Sequence, residues 1–192
     1  TLSSVKGRNP ESHDLDVAKS RDIAKGQPII VLINANSASS SEILAAGLQD
    51  SGRALVVGSN SYGKGTVQSI NELPNGGEFR VTWAKFLAPS GYAIHDRGII
   101  PNVCTTNENY SSADDIIQRL QSGTLEMTYH IQNYASESSS DSESLEQIRA
   151  SCPQRTETME IDLEVAKSLI SSSKLFNMAK NNTNSTTSEL VN

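Results

Sequence analysis

The sequence is poor in the residues that build metal and redox centres. It has two cysteines, Cys104 and Cys152, and three histidines, His13, His95 and His130. No Cys-x-x-Cys pair or histidine cluster accompanies them, which excludes a zinc site of ordinary spacing. The cysteines either pair or are two unrelated thiols, and an oxidising compartment would favour the pair. No apolar run approaches the roughly 18–20 residues that span a bilayer, so no stable membrane insertion is expected. No charged-then-apolar leader precedes the first strand. Thr1 opens directly onto a strand-like stretch, Leu2 to Lys6, as though the chain were cut or processed upstream. Positive charge is scarce as well. Residues 1–104 carry 10 basic and 9 acidic side chains, and residues 105–192 carry 6 and 13. With no basic patch, and a surface that would repel phosphate, nucleic acid is not an expected partner.

Apolar residues make up 36% of the 192, enough for a core, and their long runs lie before about residue 104. Pro28 to Asn34 is a β-rich apolar run of the kind buried on both sheet faces. A small-residue turn, Asn34 to Ala38, leads into a helix whose Ser39-Ser40-Ser41-Glu42 start has capping-box spacing. Gly52 ends that helix and Ala54 to Val57 is a second buried strand. Strand, helix and strand within some thirty residues predict a parallel βαβ unit. Thr66 to Ile70 and Glu78 to Leu87 read as strands, and residues 7–27 as a polar surface loop. Further on, Ser112 to Leu120 and Asp162 to Ile170 read as short helices, the second capped by Asp162. The Ser/Asp/Glu-rich run from Ala135 to Ser144 reads as a flexible linker, and Asn181 to Asn192 as a disordered tail.

Three groups of residues could carry chemistry. Ser39 stands at the mouth of a helix, where unpaired N–H groups and the helix dipole favour an anion. On local grounds alone the plain helix cap, with Glu42 reciprocating, is the better reading. Gly58 to Thr66 nearly spells a phosphate-binding loop. Gly65, however, separates Lys64 from the hydroxyl residue that must follow it at once, and strand rather than helix comes next. His95 follows a turn and could pair with Asp96 or a serine, with nothing local to support a triad.

Together the pieces resemble the C-terminal processing peptidases, also called tail-specific proteases. Asn34 to Ile43 resembles their serine motif, Gln49-Asp50 with Arg53-Ala54 and Gly58 the next stretch, and Tyr62 to Gln68 their lysine motif. Pro89-Ser90-Gly91 and Gly98 to Pro101 resemble later landmarks, so the resemblance covers about residues 1–104. It implies Ser39 as nucleophile, Lys64 as general base, Gln68 as the residue orienting the lysine, and the Ser40 N–H as an oxyanion donor. Asn36 and Ser40 stand where the family usually has Gly and Ala, which could alter the turn that aims Ser39.

The resemblance further implies an α/β, ClpP/crotonase-like core with a mixed sheet flanked by helices, followed here by a polar C-terminal helical extension. No metal or organic cofactor is implied. Substrates would be proteins or peptides with extended C-termini, cleaved through an acyl-enzyme in an exported, periplasmic or cell-envelope location. A substrate-gating PDZ domain and a Gly-rich strand-turn, which supplies the second oxyanion donor, belong upstream of the matched motifs. The expected organisation is therefore a partial peptidase core at 1–104, a helical extension at 105–134, a linker at 135–145, a helical segment at 146–180 and a tail at 181–192. The helix at 162–170 could pack back on the core or mediate homo-oligomers. From a different class, the chain could be a catalytically incompetent binding or scaffold module that keeps the fold.

Overall fold

Backbone pairing sorts the strands into two sheets. The computed structural model describes residues 1–126, 142–157 and 159–182. The first sheet is antiparallel, in the order β2 (Asp14–Asp16), β1 (Ser3–Gly7), β6 (Glu78–Leu87), β5 (Thr66–Glu72). Strands β5 and β6 form a long hairpin with an irregularity between Val67 and Gln68, where Val67 faces Ala84 and Gln68 faces Thr82. Within the stretch expected to be loop, β2 pairs through its backbone while all three of its side chains are exposed. A strand that buries nothing leaves no apolar alternation to read.

The second sheet is parallel: β3 (Ile30–Ile33), β4 (Leu55–Gly58) and β7 (Val103–Cys104), in that order. Helix α1 (Ser40–Asp50) makes the crossover from β3 to β4. All of β4 is buried, whereas β3 lies at the sheet edge with Leu32 38% exposed. The expectation that β3 is buried on both faces is therefore corrected: Ile33 is buried, Ile30 and Val31 are half-buried and Leu32 is exposed.

Side chains of β4 alternate between two cores, as a central strand requires. Val56 packs with Ile33, Ala45 and Ala46 of α1, and Ile94 and Ile99. Leu55 and Val57 pack the opposite way, with Ile116 and Leu120 of α2 (Ala113–Ser122), Val165 and Leu169 of α4 (Glu160–Ser171) and Ala179 of α5 (Ser173–Asn182). The polar C-terminal helices thus lay narrow apolar stripes on the sheet and build the layer opposite α1. Cys104 at the end of β7 is disulfide-bonded to Cys152, and both are buried beside Ile100.

Two helix starts differ from expectation. Helix α3 (Ser142–Ala150) begins inside the Ser/Asp/Glu-rich run, whose composition masks the apolar Leu145 and Ile148 at helical spacing; Ile148 reaches the core. The remainder of that run, residues 135–141, lies outside the described residues, as do His130 and residues 183–192 of the expected tail. Helix α4 starts at Glu160 with Met159 as its cap residue. Asp162 is not the cap but sits three positions in, and its carboxylate accepts the Met159 N–H at 2.9 Å.

Candidate active site

The turn from β3 into α1 is tied by its own polar groups. The Asn34 carbonyl accepts the Ser37 N–H at 2.9 Å, the Asn34 side-chain oxygen accepts the Asn36 N–H at 2.9 Å, and Ser37 Oγ accepts the Asn34 N–H at 3.2 Å. This delivers Ser39 to the mouth of α1, exposed, with φ 58° and ψ −118°. Positive φ is rare for a residue with a side chain, and such strain, about 1–3 kcal/mol, persists only where surroundings impose it. The N–H of Ser40, the first helical residue, takes no partner among the described residues, as expected at a helix start.

The loop after β4 is pressed against other backbone. At Gly58, φ is 132° and an added Cβ would lie 2.1 Å from the Ile33 carbonyl oxygen. An added Cβ at Gly65 would lie 2.4 Å from the His95 nitrogen. Between them, Ser59, Asn60 and Ser61 are buried, and Lys64 is exposed. The Tyr62 N–H donates to the Ser37 carbonyl at 3.0 Å, so the two loops touch directly. On the far side, the Ile99 N–H donates to Ser61 Oγ at 2.6 Å and the Asp96 N–H to the Gly63 carbonyl at 3.0 Å.

One buried carboxylate links these loops. Glu42, on the first turn of α1, is fully buried. Its Oε2 accepts the Ser39 N–H at 2.9 Å and the Lys64 N–H at 2.8 Å. Its Oε1 accepts Ser61 Oγ–H at 2.5 Å and the Gly63 N–H at 2.6 Å. Four donors on one carboxylate satisfy a group that would otherwise be costly to bury. The sequence suggested Glu42 only as half of a capping box. Its bridge to the lysine loop depends on a contact 21–22 residues away and left no local signal.

The residues singled out by motif converge in part. Ser39 and Lys64 sit on adjoining loops, but no hydrogen bond joins their side chains. The Gln68 amide donates to Thr82 Oγ1 across the hairpin at 2.9 Å, and does not bond to Lys64. His95 Nε2 lies 3.4 Å from an Asp96 carboxylate oxygen, and His13 Nε2 lies 3.3 Å from the Gly7 carbonyl, so neither imidazole is engaged with Ser39. Among the described residues no cluster of His, Cys, Asp or Glu could hold a metal ion, and no helix is long and apolar enough to cross a membrane.

Comparison with known proteins bears on the same segment. The model of Peptidase family S41 matches residues 1–105. Carboxyl-terminal-processing peptidase 3, chloroplastic, of Arabidopsis thaliana is 48% identical over 96 residues, which are 50% of this chain and 18% of the relative. A carboxy-terminal-processing protease of Bartonella bacilliformis is 44% identical over 102 residues, 53% of this chain and 24% of the relative. Among solved structures, a photosystem II D1 C-terminal processing protease aligns with TM-score 0.47 and 34% identity, over 53% of this chain and 26% of that one. The chain therefore spans about a fifth to a quarter of the length of these relatives.

Proposed function

The chain belongs to Peptidase family S41, and from that premise we propose that it carries the nucleophile and base of a serine protease that processes protein C-termini. Ser39 attacks the peptide carbonyl, Lys64 takes its proton, and the Ser40 N–H at the helix mouth steadies the oxyanion. The returned proton leaves with the amine, and Lys64 then activates the water that frees the acyl group. The observation that carries this reading is the shared Glu42 carboxylate, which fixes the backbone of both reacting residues to one point.

The reading makes a demand on Lys64. A free lysine titrates near 10.4 and is a poor base at neutral pH, so the amine must be desolvated to work. In this chain it is exposed. The required cover would come from bound substrate or from parts of the protein outside this chain, and catalytic hydrogen bonds often close only in the loaded complex. Gln68 would have to exchange Thr82 for Lys64 in the same closure. The substrate would lie as an extended strand along a sheet edge. The buried disulfide and the chloroplastic relative favour an exported or lumenal setting.

The exposed amine and the Gln68–Thr82 bond also favour a second reading, in which the fold persists as a binding or scaffold module without catalysis. A serine-directed phosphonate separates the two in the full-length protein. The protease reading expects labelling at Ser39, lost in Ser39→Ala and slowed at least about 100-fold in Lys64→Ala. Labelling of Lys64→Ala at the unmodified rate would end the assignment of Lys64, and no labelling of the unmodified protein would favour the scaffold.

A further inference from the structure

A short segment beyond the family-matched region also touches both loops of the site. The Arg155 carbonyl accepts the Ala35 N–H at 2.9 Å and the Ser59 hydroxyl at 3.2 Å, while Ser59 Oγ accepts the Arg155 N–H at 3.2 Å. The side-chain amides of Asn34 and Asn36 both donate to the Thr156 carbonyl at 3.0 Å. The Gln154 amide donates to the Ser61 carbonyl. One segment therefore joins the turn before Ser39 to the loop before Lys64, chiefly at Asn34, Ala35, Asn36 and Ser59, which Glu42 does not touch.

Both ends of the segment are anchored. Upstream, Cys152 is bonded to Cys104 at the end of β7, and the Pro153 carbonyl accepts Thr106 Oγ1–H at 2.7 Å. Downstream, the Arg155 guanidinium lies 2.6 Å from both oxygens of Asp162, whose side chain is 3% exposed. Asp162 also takes a hydrogen bond from Thr105 and holds the start of α4. A backbone strap clamped by a covalent bond at one end and an ion pair to a buried carboxylate at the other cannot drift independently of the sheet.

We propose that residues 152–156 are a strap that sets the spacing of the nucleophile and base loops, with Arg155 as its positioning residue. This rests on the protease reading above. Nucleophile and base must come within about 2.6–3.2 Å of each other, and a misplacement of about 1 Å from a remote change can cost about 100-fold in rate. Arg155 touches no reacting atom and acts through Ala35 and Ser59. Release of the covalent end is a balanced exchange. A dithiol gives two electrons and two protons to the Cys104–Cys152 bond, leaving two thiols and becoming a disulfide itself.

The test uses the full-length protein as Arg155→Ala, Arg155→Lys and the double variant Cys104→Ser/Cys152→Ser. Amide exchange at Ala35, Ser39 and Lys64 is followed together with kcat and KM on a tail peptide. Arg155→Ala is expected to speed exchange at Ala35 and to lower kcat about ten-fold or more, with KM within about three-fold, because positioning acts on the chemical step. Arg155→Lys, which keeps the charge but loses the two-pronged contact, should recover part of both. The cysteine variant should reproduce the Arg155→Ala pattern, and it serves in its place if that variant does not fold. Exchange and kcat within about two-fold of the unmodified protein in every folded variant, or a change in KM alone, would overturn the strap. If exchange responds while the unmodified protein neither cleaves nor labels at Ser39, the strap stands and the protease reading falls.

Discussion

Ser39 and Lys64 share an acceptor: their backbone N–H groups converge on Oε2 of Glu42, at 2.9 and 2.8 Å. The two residues proposed to react are thus registered through backbone, while their side chains stay free to meet a substrate. Glu42→Ala would leave these two N–H groups, the Gly63 N–H and the Ser61 hydroxyl without their acceptor in a buried place. Unmet buried donors cost about 1–3 kcal/mol each before relaxation, so we expect about 3–5 kcal/mol of lost stability. Glu42→Gln keeps the shape but turns an amide donor toward other donors, and should fall between. Denaturant unfolding of the full-length protein measures both, and Glu42→Ala within about 0.5 kcal/mol of the parent would remove Glu42 from its structural role.

The lysine loop offers a steric prediction with its own control. Gly65→Ala would place a methyl 2.4 Å from the His95 nitrogen and 2.8 Å from the Ile94 carbonyl carbon, atoms of backbone that cannot rotate away. Overpacking of this kind costs about 1–3 kcal/mol, and here the shift falls on the residue next to Lys64. Activity should drop more than stability accounts for. Gly76, at φ 79° in the β5–β6 turn, has nothing within 4 Å of an added Cβ. Gly76→Ala should therefore cost only backbone strain, about 1 kcal/mol, and leave turnover unchanged.

What the sequence disclosed follows from the range of the interactions involved. The βαβ unit was legible because Ile30 to Ile33 and Leu55 to Val57 are continuous apolar runs around an amphipathic helix. The Ser39 and Lys64 loops were legible as ordered motifs. Strand β2 was not, because Asp14, Leu15 and Asp16 are all exposed and only their backbone pairs. The same holds for the strap: Gln154, Arg155 and Thr156 fall in the stretch 146–180 expected to be a helical segment and carry no motif, and their partners in the two loops lie 93 to 122 residues away. Glu42 could be seen as a capping residue but not as the buried hub of four donors.

The C-terminal helices should unfold with the sheet rather than before it. Leu169 is fully buried in the cluster that contains Leu55, Val57 and Ile116. Leu169→Ala is expected to cost about 2–5 kcal/mol with one cooperative transition and an unchanged denaturant slope. Leu163, on the same helix but 44% exposed, should tolerate alanine within about 0.5 kcal/mol. A separate early transition in Leu169→Ala would show that the helices form an independent unit.

Ser39 itself distinguishes a cap from a nucleophile by stability alone. If the residue serves as a helix cap, Ser39→Gly should cost a few tenths of a kcal/mol and Ser39→Ala about 1 kcal/mol. The observed φ of 58° with ψ of −118° argues for a different order. Glycine adopts positive φ without the strain that a Cβ brings, and the Glu42 bond to the residue 39 N–H survives either change. Ser39→Gly should therefore be more stable than the parent by about 1 kcal/mol, and Ser39→Ala no more stable than the parent. Both should lose phosphonate labelling entirely. A side chain kept where its removal stabilises the fold is there for chemistry, whereas a glycine variant less stable than the parent would return Ser39 to the role of a cap.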